Sequence, residues 1–398
     1  MKITIEPRKL FGQLNIIPSK SQAHRILICA ALADKESALF CPETNQDISA
    51  TVRCLNALGA KIVRTDTGYH ISPMTDLPDL AVMDCGESGS TLRFLLPIVG
   101  ALGVTTTFIM SGKLPQRPLS PLWEEMERMG CTLSRPTENT ISCSGKLRSG
   151  TYHINGGVSS QFITGLLLAA PLISGHTVLD LIGKVESLPY IRMTQNALLQ
   201  FGISTKEYSV DSKQKYISPG DLTIEGDWSN GAFFLAANTL GCKIVINNLD
   251  ENSCQGDREI VVCLKKLKNT CTINAADIPD LVPILSVVAA ANKGARFENV
   301  SRLRLKESDR IHSIITMLNA LGITAKDEGD TLLVEPGEIT GGCVNAFNDH
   351  RIAMSAAIAA IVASGPVTII NAECVAKSYP TFWEEYKRLG GHYEQYLR

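Results

Sequence analysis

The chain has 398 residues, 44% of them hydrophobic, which suits two packed α/β domains and excludes a disordered chain. A formal net charge of -2 excludes a broad basic field, so neither nucleic acid nor an anionic membrane surface is expected as a partner. Any cation clusters must be local.

The segment MKITIEPRKL reads as a strand, without the layout of a signal or transit peptide, and no apolar run is long enough to cross a bilayer. Twelve cysteines run from Cys29 to Cys374 with no CxxC pair, so reduced thiols and a cytoplasmic location are expected. The seven histidines (His24, His70, His153, His176, His312, His350 and His392) form no HExxH and join no cysteines at zinc spacing. Neither a metal nor a cofactor is expected.

An amphipathic helix ending in Gly, followed by a β-like run, recurs at intervals of roughly 50 to 75 residues, the scale of a supersecondary repeat. The copies are RCLNALGAKI at Gly59, EEMERMGCTL at Gly130, QNALLQFGIST at Gly202, ITMLNALGITA at Gly322 and EEYKRLGGHYE at Gly390. VVCLKKLKNTCTI adds a sixth, with Asn269 expected to take the left-handed cap. One such junction is common in any α/β protein; six at near-even spacing predict a repeat architecture. Strand-like KIVINNL, TLLVEP, VTIINAE and TVLDLIG alternate with alanine-rich helices, and a domain crossover is expected near Gly226 and Asp227.

Loops with Lys or Arg repeatedly run into apolar helices, whose unpaired N–H groups and positive dipole end favour anions. In chain order these are Ser19, Lys20, Ser21 and Arg25 in PSKSQAHR, then Gly86, Gly89 and Arg93 in GESGSTLR, which is not a Walker loop. Arg117 sits in the proline-bound GKLPQRPLSPL, and Ser159, Ser160 and Gln161 stand at the next helix start. RLRLKESDR then packs Arg302, Arg304, Lys306, Glu307, Asp309 and Arg310 together; NDHRIAM supplies Asp349, His350 and Arg351, and Lys377 lies in AKSYP. Taken singly, caps and solvated charges explain each stretch equally well. Together they predict several elements converging on a multiply anionic ligand pair.

With ESLPYI and IPDL, these motifs run end to end in an order that resembles the enolpyruvyl transferase family. The resemblance implies a two-domain fold, each domain of three βαβαββ repeats with helices packed inside sheets. Domain I would hold residues 1–19 and 227–398 and domain II residues 20–226, closing over substrates in an interdomain cleft hinged near Lys20 and Asp227. It also implies transfer of the enolpyruvyl group of phosphoenolpyruvate to shikimate 3-phosphate by a monomer. Lys20, Ser21, Arg25, Ser159, Ser160, Gln161, Ser187, Tyr190, Asp280 and Lys306 match the acceptor site. Lys20, Gly89, Arg93, Arg117, Gln161, Arg310, Arg351 and Lys377 match the phosphoenolpyruvate site, and Asp280, Glu307 and Lys20 the catalytic groups. Glu87 and Arg302 depart from residues common in the family. UDP-N-acetylglucosamine as acceptor fits less well, because Ser21 rather than Asn follows Lys20 and neither Cys nor Asp lies between Ser111 and Gln116.

Overall fold

The computed structural model describes residues 1–211 and 214–396. The chain divides into two compact units, Met1–Ile17 with Glu225–Arg398, and Pro18–Ile224. Both crossings lie two residues before the positions expected from the sequence.

In the continuous unit, one repeat runs strand Leu80–Gly86, helix Gly89–Leu102, strand Thr105–Met110, helix Leu122–Arg128 and the hairpin strands Cys131–Thr137 and Thr140–Gly145. Its first two strands pair in parallel, from Leu80 with Thr105 to Asp84 with Ile109, and the intervening helix makes that crossover. Alternation of LAVMDCG turns Ala81, Met83 and Cys85 inward and leaves Leu80, Val82 and Asp84 exposed. A second repeat gives the sheet of Gly150–Asn155, His176–Ile182 and Ser209–Asp211. The third pairs Ser37–Phe40 in parallel with Asp221–Thr223, which the chain supplies just before leaving the unit.

The discontinuous unit repeats the plan. Its sheets are Gly342–Asn345, Val367–Ile370, Lys2–Glu6 and His392–Tyr396; Cys271–Asn274, Ala295–Glu298, Thr331–Val334 and Ala325–Asp327; and the parallel pair Phe11–Asn15 with Lys243–Asn247. The class is therefore the expected α/β repeat fold, but among the described residues one sheet has only three strands and another two.

Each unit buries three apolar helices behind its sheets: Lys20–Ala31, Gly89–Leu102 and Ser160–Ala169 in one, Trp228–Thr239, Val282–Ala291 and His350–Ala359 in the other. Burial of each large aliphatic or aromatic side chain in these helices contributes about 1.5–3 kcal/mol. Gly165 lets two of them approach closely, since a Cβ there would stand 2.2 Å from Arg93 O. That contact sets the middle of one helix against the second turn of the other. Side chains at the buried helices' starts thus sit on rigid supports.

The recurring helix caps are present at Gly59, Gly130, Gly202, Gly322 and Gly390, all at positive φ. Asn269 corrects the expectation. It is not in the left-handed region, and its N–H returns to Lys266 O at 3.1 Å in a tight turn that needs no such cap. After Gly202 no strand follows directly; an isolated Lys206–Ser209 bridge precedes Ser209–Asp211. The same device closes Gly89–Leu102 at Gly103 and follows Trp228–Thr239 at Gly241, copies that high apolar content hid from the amphipathic pattern.

Candidate active site

In the continuous unit, Ser19 caps the helix that begins with Lys20, accepting from Gln22 N. Lys20 Nζ pairs with Asp47 Oδ2 at 2.9 Å. One turn on, buried Arg25 is held by neutral oxygens, donating to Thr194 Oγ1 at 2.8 Å, Ser21 O at 2.6 Å, Thr164 Oγ1 at 3.2 Å and Tyr190 O at 3.1 Å. Its guanidinium also lies 5.0 Å from the centre of the Phe94 ring. Lys20, Ser21, Arg25 and Tyr190 therefore belong to one connected patch.

A second strand of the network starts at Ser88, which caps the helix beginning with Gly89. Arg93 donates to Gln161 Oε1 at 2.8 Å and Pro118 O at 3.0 Å, while Gln161 Nε2 donates to Ser90 Oγ at 2.9 Å. Ser159 caps the helix that carries Ser160 and Gln161. A Cβ on Gly89 would lie 2.7 Å from Arg117 Nη1 and 2.8 Å from Arg93 Nη1, so both guanidinium groups lie against the helix start. Arg117 follows a short turn, Leu114–Gln116, in extended conformation, and its buried Nε has no hydrogen-bond partner. Buried Ser187 stands before the helix Leu188–Gln200 at φ 55°, a left-handed position that turns the chain sharply into the element bearing Tyr190.

The two strands of this network are joined through hydroxyls. His24 Nδ1, Thr51 Oγ1, Thr91 Oγ1 and Ser88 Oγ form a buried chain with successive spacings of 2.7 Å. Burial, then the charges of Lys20 and Arg25, hold the His24 imidazole well below its ordinary range, so it is neutral there.

In the discontinuous unit, Asp280 is the centre. It accepts from Arg310 Nη1 at 2.7 Å and Arg351 Nη2 at 3.0 Å, with Lys306 Nζ at 3.7 Å. Arg310 also meets Glu307 Oε2 at 2.5 Å and Asp349 Oδ2 at 2.8 Å, and is 1% exposed. Asp349 Oδ1 accepts from Arg351 N at 3.0 Å, so one carboxylate both caps a helix and holds a buried guanidinium. Lys377 Nζ donates to Asn348 O at 2.9 Å, beside that cap. Lys306, Glu307, Arg310, Arg351 and Lys377 thus lie close together about Asp280 and Asp349.

The charges shape one another. Burial opposes ionisation of Asp280, but Arg351, Lys306 and Arg310 outweigh it and hold its carboxyl well below the carboxylate range. Lys306 goes the other way: burial, only partly offset by Asp280, brings its ammonium down to about 8. Burial likewise disfavours the charge of Arg310, but Asp349, Glu307 and Asp280 more than compensate and raise its affinity for the proton. A carboxylate kept charged beside a lysine able to lose its proton near neutrality is an arrangement suited to proton transfer.

Sequence reasoning did not identify Asp47, Thr164 and Thr194 as partners of the basic residues; they lie far from them in sequence and carry no motif. Asp349 carried a readable signal, a helix cap in front of an arginine. Arg304, from the same charged run as Lys306, pairs instead with Asp327 at 2.8 Å on the surface. Among the described residues no His, Cys, Asp or Glu cluster could hold a metal, and no helix is long and apolar enough to cross a membrane.

Repeated α/β units that gather buried cations and paired carboxylates near helix starts define a class of protein suited to polyanionic ligands. The family model described as EPSP synthase (3-phosphoshikimate 1-carboxyvinyltransferase) matches residues 5–277 and 267–386. A 3-phosphoshikimate 1-carboxyvinyltransferase of Clostridium kluyveri is 38% identical, with 99% of this chain and 98% of the relative aligned. One from Clostridioides difficile is 36% identical over 99% of this chain and 98% of its own. A solved EPSP synthase structure from Acinetobacter baumannii, 23% identical, matches the fold with a TM-score of 0.81 over 99% of this chain and 100% of that one. The chain belongs to the EPSP synthase family.

Proposed function

We propose that the residues gathered in the two units serve a single substrate pair, phosphoenolpyruvate and shikimate 3-phosphate. The chain is a transferase that moves the enolpyruvyl (carboxyvinyl) group of the first onto the second and releases phosphate, a step of the shikimate pathway to chorismate and the aromatic amino acids. The observation that carries the residue assignment is the setting of Asp280, kept ionised among Lys306, Arg310 and Arg351.

Each substrate bears a phosphate and a carboxylate, so bringing them together is costly unless cations are already in place. Lys20, Arg93, Arg117, Arg310, Arg351 and Lys377 supply that charge to phosphoenolpyruvate, with Gly89 giving access to the helix start and Gln161 contacting both substrates. Lys20, Ser21, Arg25, Ser159, Ser160, Ser187, Tyr190 and Lys306 hold shikimate 3-phosphate.

Transfer proceeds by addition and elimination. Glu307, assisted by Lys20, protonates the methylene carbon of phosphoenolpyruvate; Asp280 takes the proton of the acceptor's 5-hydroxyl as its oxygen bonds the adjacent carbon. The tetrahedral adduct then expels phosphate and returns a methyl proton to the base, restoring the enol ether. The protein acts as a monomer in the cytoplasm, a location supported by nine buried cysteines, all free.

The test is phosphate release by purified protein given phosphoenolpyruvate with shikimate 3-phosphate or with UDP-N-acetylglucosamine. Release with the first acceptor alone is expected; release only with the second would refute the substrate assignment.

A further inference from the structure

Behind Arg351 lies a buried carboxylate that the proposed chemistry does not use. Asp257, 3% exposed, sits in the short turn Gly256–Glu259 and hydrogen-bonds Ser229 Oγ through Oδ2. Ser229 is the second residue of the helix Trp228–Thr239, and its Oγ lies 3.0 Å from Arg351 Nη2. The same Nη2 is 3.0 Å from Asp280 Oδ2, and Arg351 Nη1 donates to Asp280 O at 3.3 Å.

The direction of these bonds follows from the groups. A guanidinium only donates, so Ser229 Oγ accepts from Arg351 and has one hydrogen left to give, which goes to Asp257. The turn is braced for this: Gln255 accepts from Trp228 N at 3.1 Å and donates to Gly226 O at 2.8 Å, tying the turn to the start of the Ser229 helix. Arg351 is therefore gripped from two sides, by Asp280 at the reacting centre and by the Ser229–Asp257 pair behind it.

We propose that Asp257 and Ser229 are positioning residues for the donor site, orienting Arg351 through the serine hydroxyl so that its guanidinium meets the phosphoenolpyruvate anion. This rests on the assignment of Arg351 to that substrate. Burial, followed by the charge of Asp280, pushes the Asp257 carboxyl up to about 6; Arg351 and the Ser229 bond pull against that and Asp227 adds to it. Cys263 also interacts with it, a thiol that burial pushes up to about 12 and keeps neutral. Asp257 is thus charged above about pH 6 and neutral below, and the orienting bond is strongest in its charged form.

Four variants decide the matter, with KM for each substrate and kcat followed from pH 5 to 8. Ser229→Ala should raise the phosphoenolpyruvate KM about tenfold, the usual scale for a lost bond to a charged group, and leave the acceptor KM and kcat within about twofold. Ser229→Thr, which keeps the hydroxyl, should restore most of the loss. Asp257→Asn should equal the parent near pH 5 and fall behind it as pH rises through 6. Substrate phosphates titrate in the same range in both proteins, so the ratio of variant to parent isolates Asp257. An unchanged donor KM in Ser229→Ala, or a ratio for Asp257→Asn flat with pH, overturns the inference. Arg351→Lys separates the two levels: if it too leaves the donor KM unchanged, the assignment of Arg351 itself fails.

Discussion

Gly89→Ala puts a single methyl group where two guanidinium groups already are. The added Cβ would lie 2.7 Å from Arg117 Nη1, 2.8 Å from Arg93 Nη1 and 3.2 Å from Arg117 Cζ, so something must move. Arg93 is fastened to Gln161 and Pro118 at 2.8 and 3.0 Å, whereas the buried Nε of Arg117 has no partner. Arg117 should therefore yield. The backbone will not resist, because Gly89 has ordinary helical geometry, and replacing glycine by alanine in a helix favours it by up to about 1 kcal/mol. Displacing one charged hydrogen-bonding group from an anion costs about 1.5–3 kcal/mol. At about 1.4 kcal/mol per tenfold, the phosphoenolpyruvate KM should rise on the order of 10- to 100-fold while the melting temperature holds or increases. The assay is phosphate release with phosphoenolpyruvate varied at saturating acceptor, alongside a thermal melt. An unchanged donor KM in a normally folded variant would refute the reasoning, and a marked loss of stability would show that the strain went into the helix instead.

Asp280→Ala and Glu307→Ala should each lower kcat about 100- to 10,000-fold, the usual range for a lost acid or base, as read in single-turnover and steady-state assays. Asp349→Ala removes a helix cap and the buried partner of Arg310 together, so denaturant titration should show a loss of about 3–5 kcal/mol. Lys306, with its ammonium brought down to about 8, is charged below that pH and neutral above it. If its charge holds the acceptor, kcat/KM for shikimate 3-phosphate should fall as pH rises through about 8, and Lys306→Gln should start lower and lose that limb.

The parts of the site legible in the sequence were those where local rules suffice. Ser19, Ser88, Asp309 and Asp349 each cap a helix with the basic residue of interest at or within its first turns, and Ser159 caps the one that carries Ser160 and Gln161. Gly59, Gly130, Gly322 and Gly390 were readable because a left-handed cap leaves few choices of residue. The partners of the cations were not readable: Asp47, Thr164, Thr194 and Ser229 meet their arginine or lysine only through tertiary packing. Asn269 misled for the opposite reason, since a tight turn can end a helix without a left-handed residue. The glycine caps at Gly103 and Gly241 escaped the repeat pattern because the helices before them are buried nearly all round and show no polar face to mark their period.

The strand Lys2–Glu6 lies between Val367–Ile370 and His392–Tyr396, so it is clasped on both sides by segments made roughly 360 to 390 residues later. The unit from Pro18 to Ile224 is made from one continuous stretch of chain. During synthesis it can close while its neighbour is still half made and the early strand waits without a sheet to enter. Assembly is thus ordered by connectivity, with the earliest strand of the discontinuous unit among the last elements to find its place.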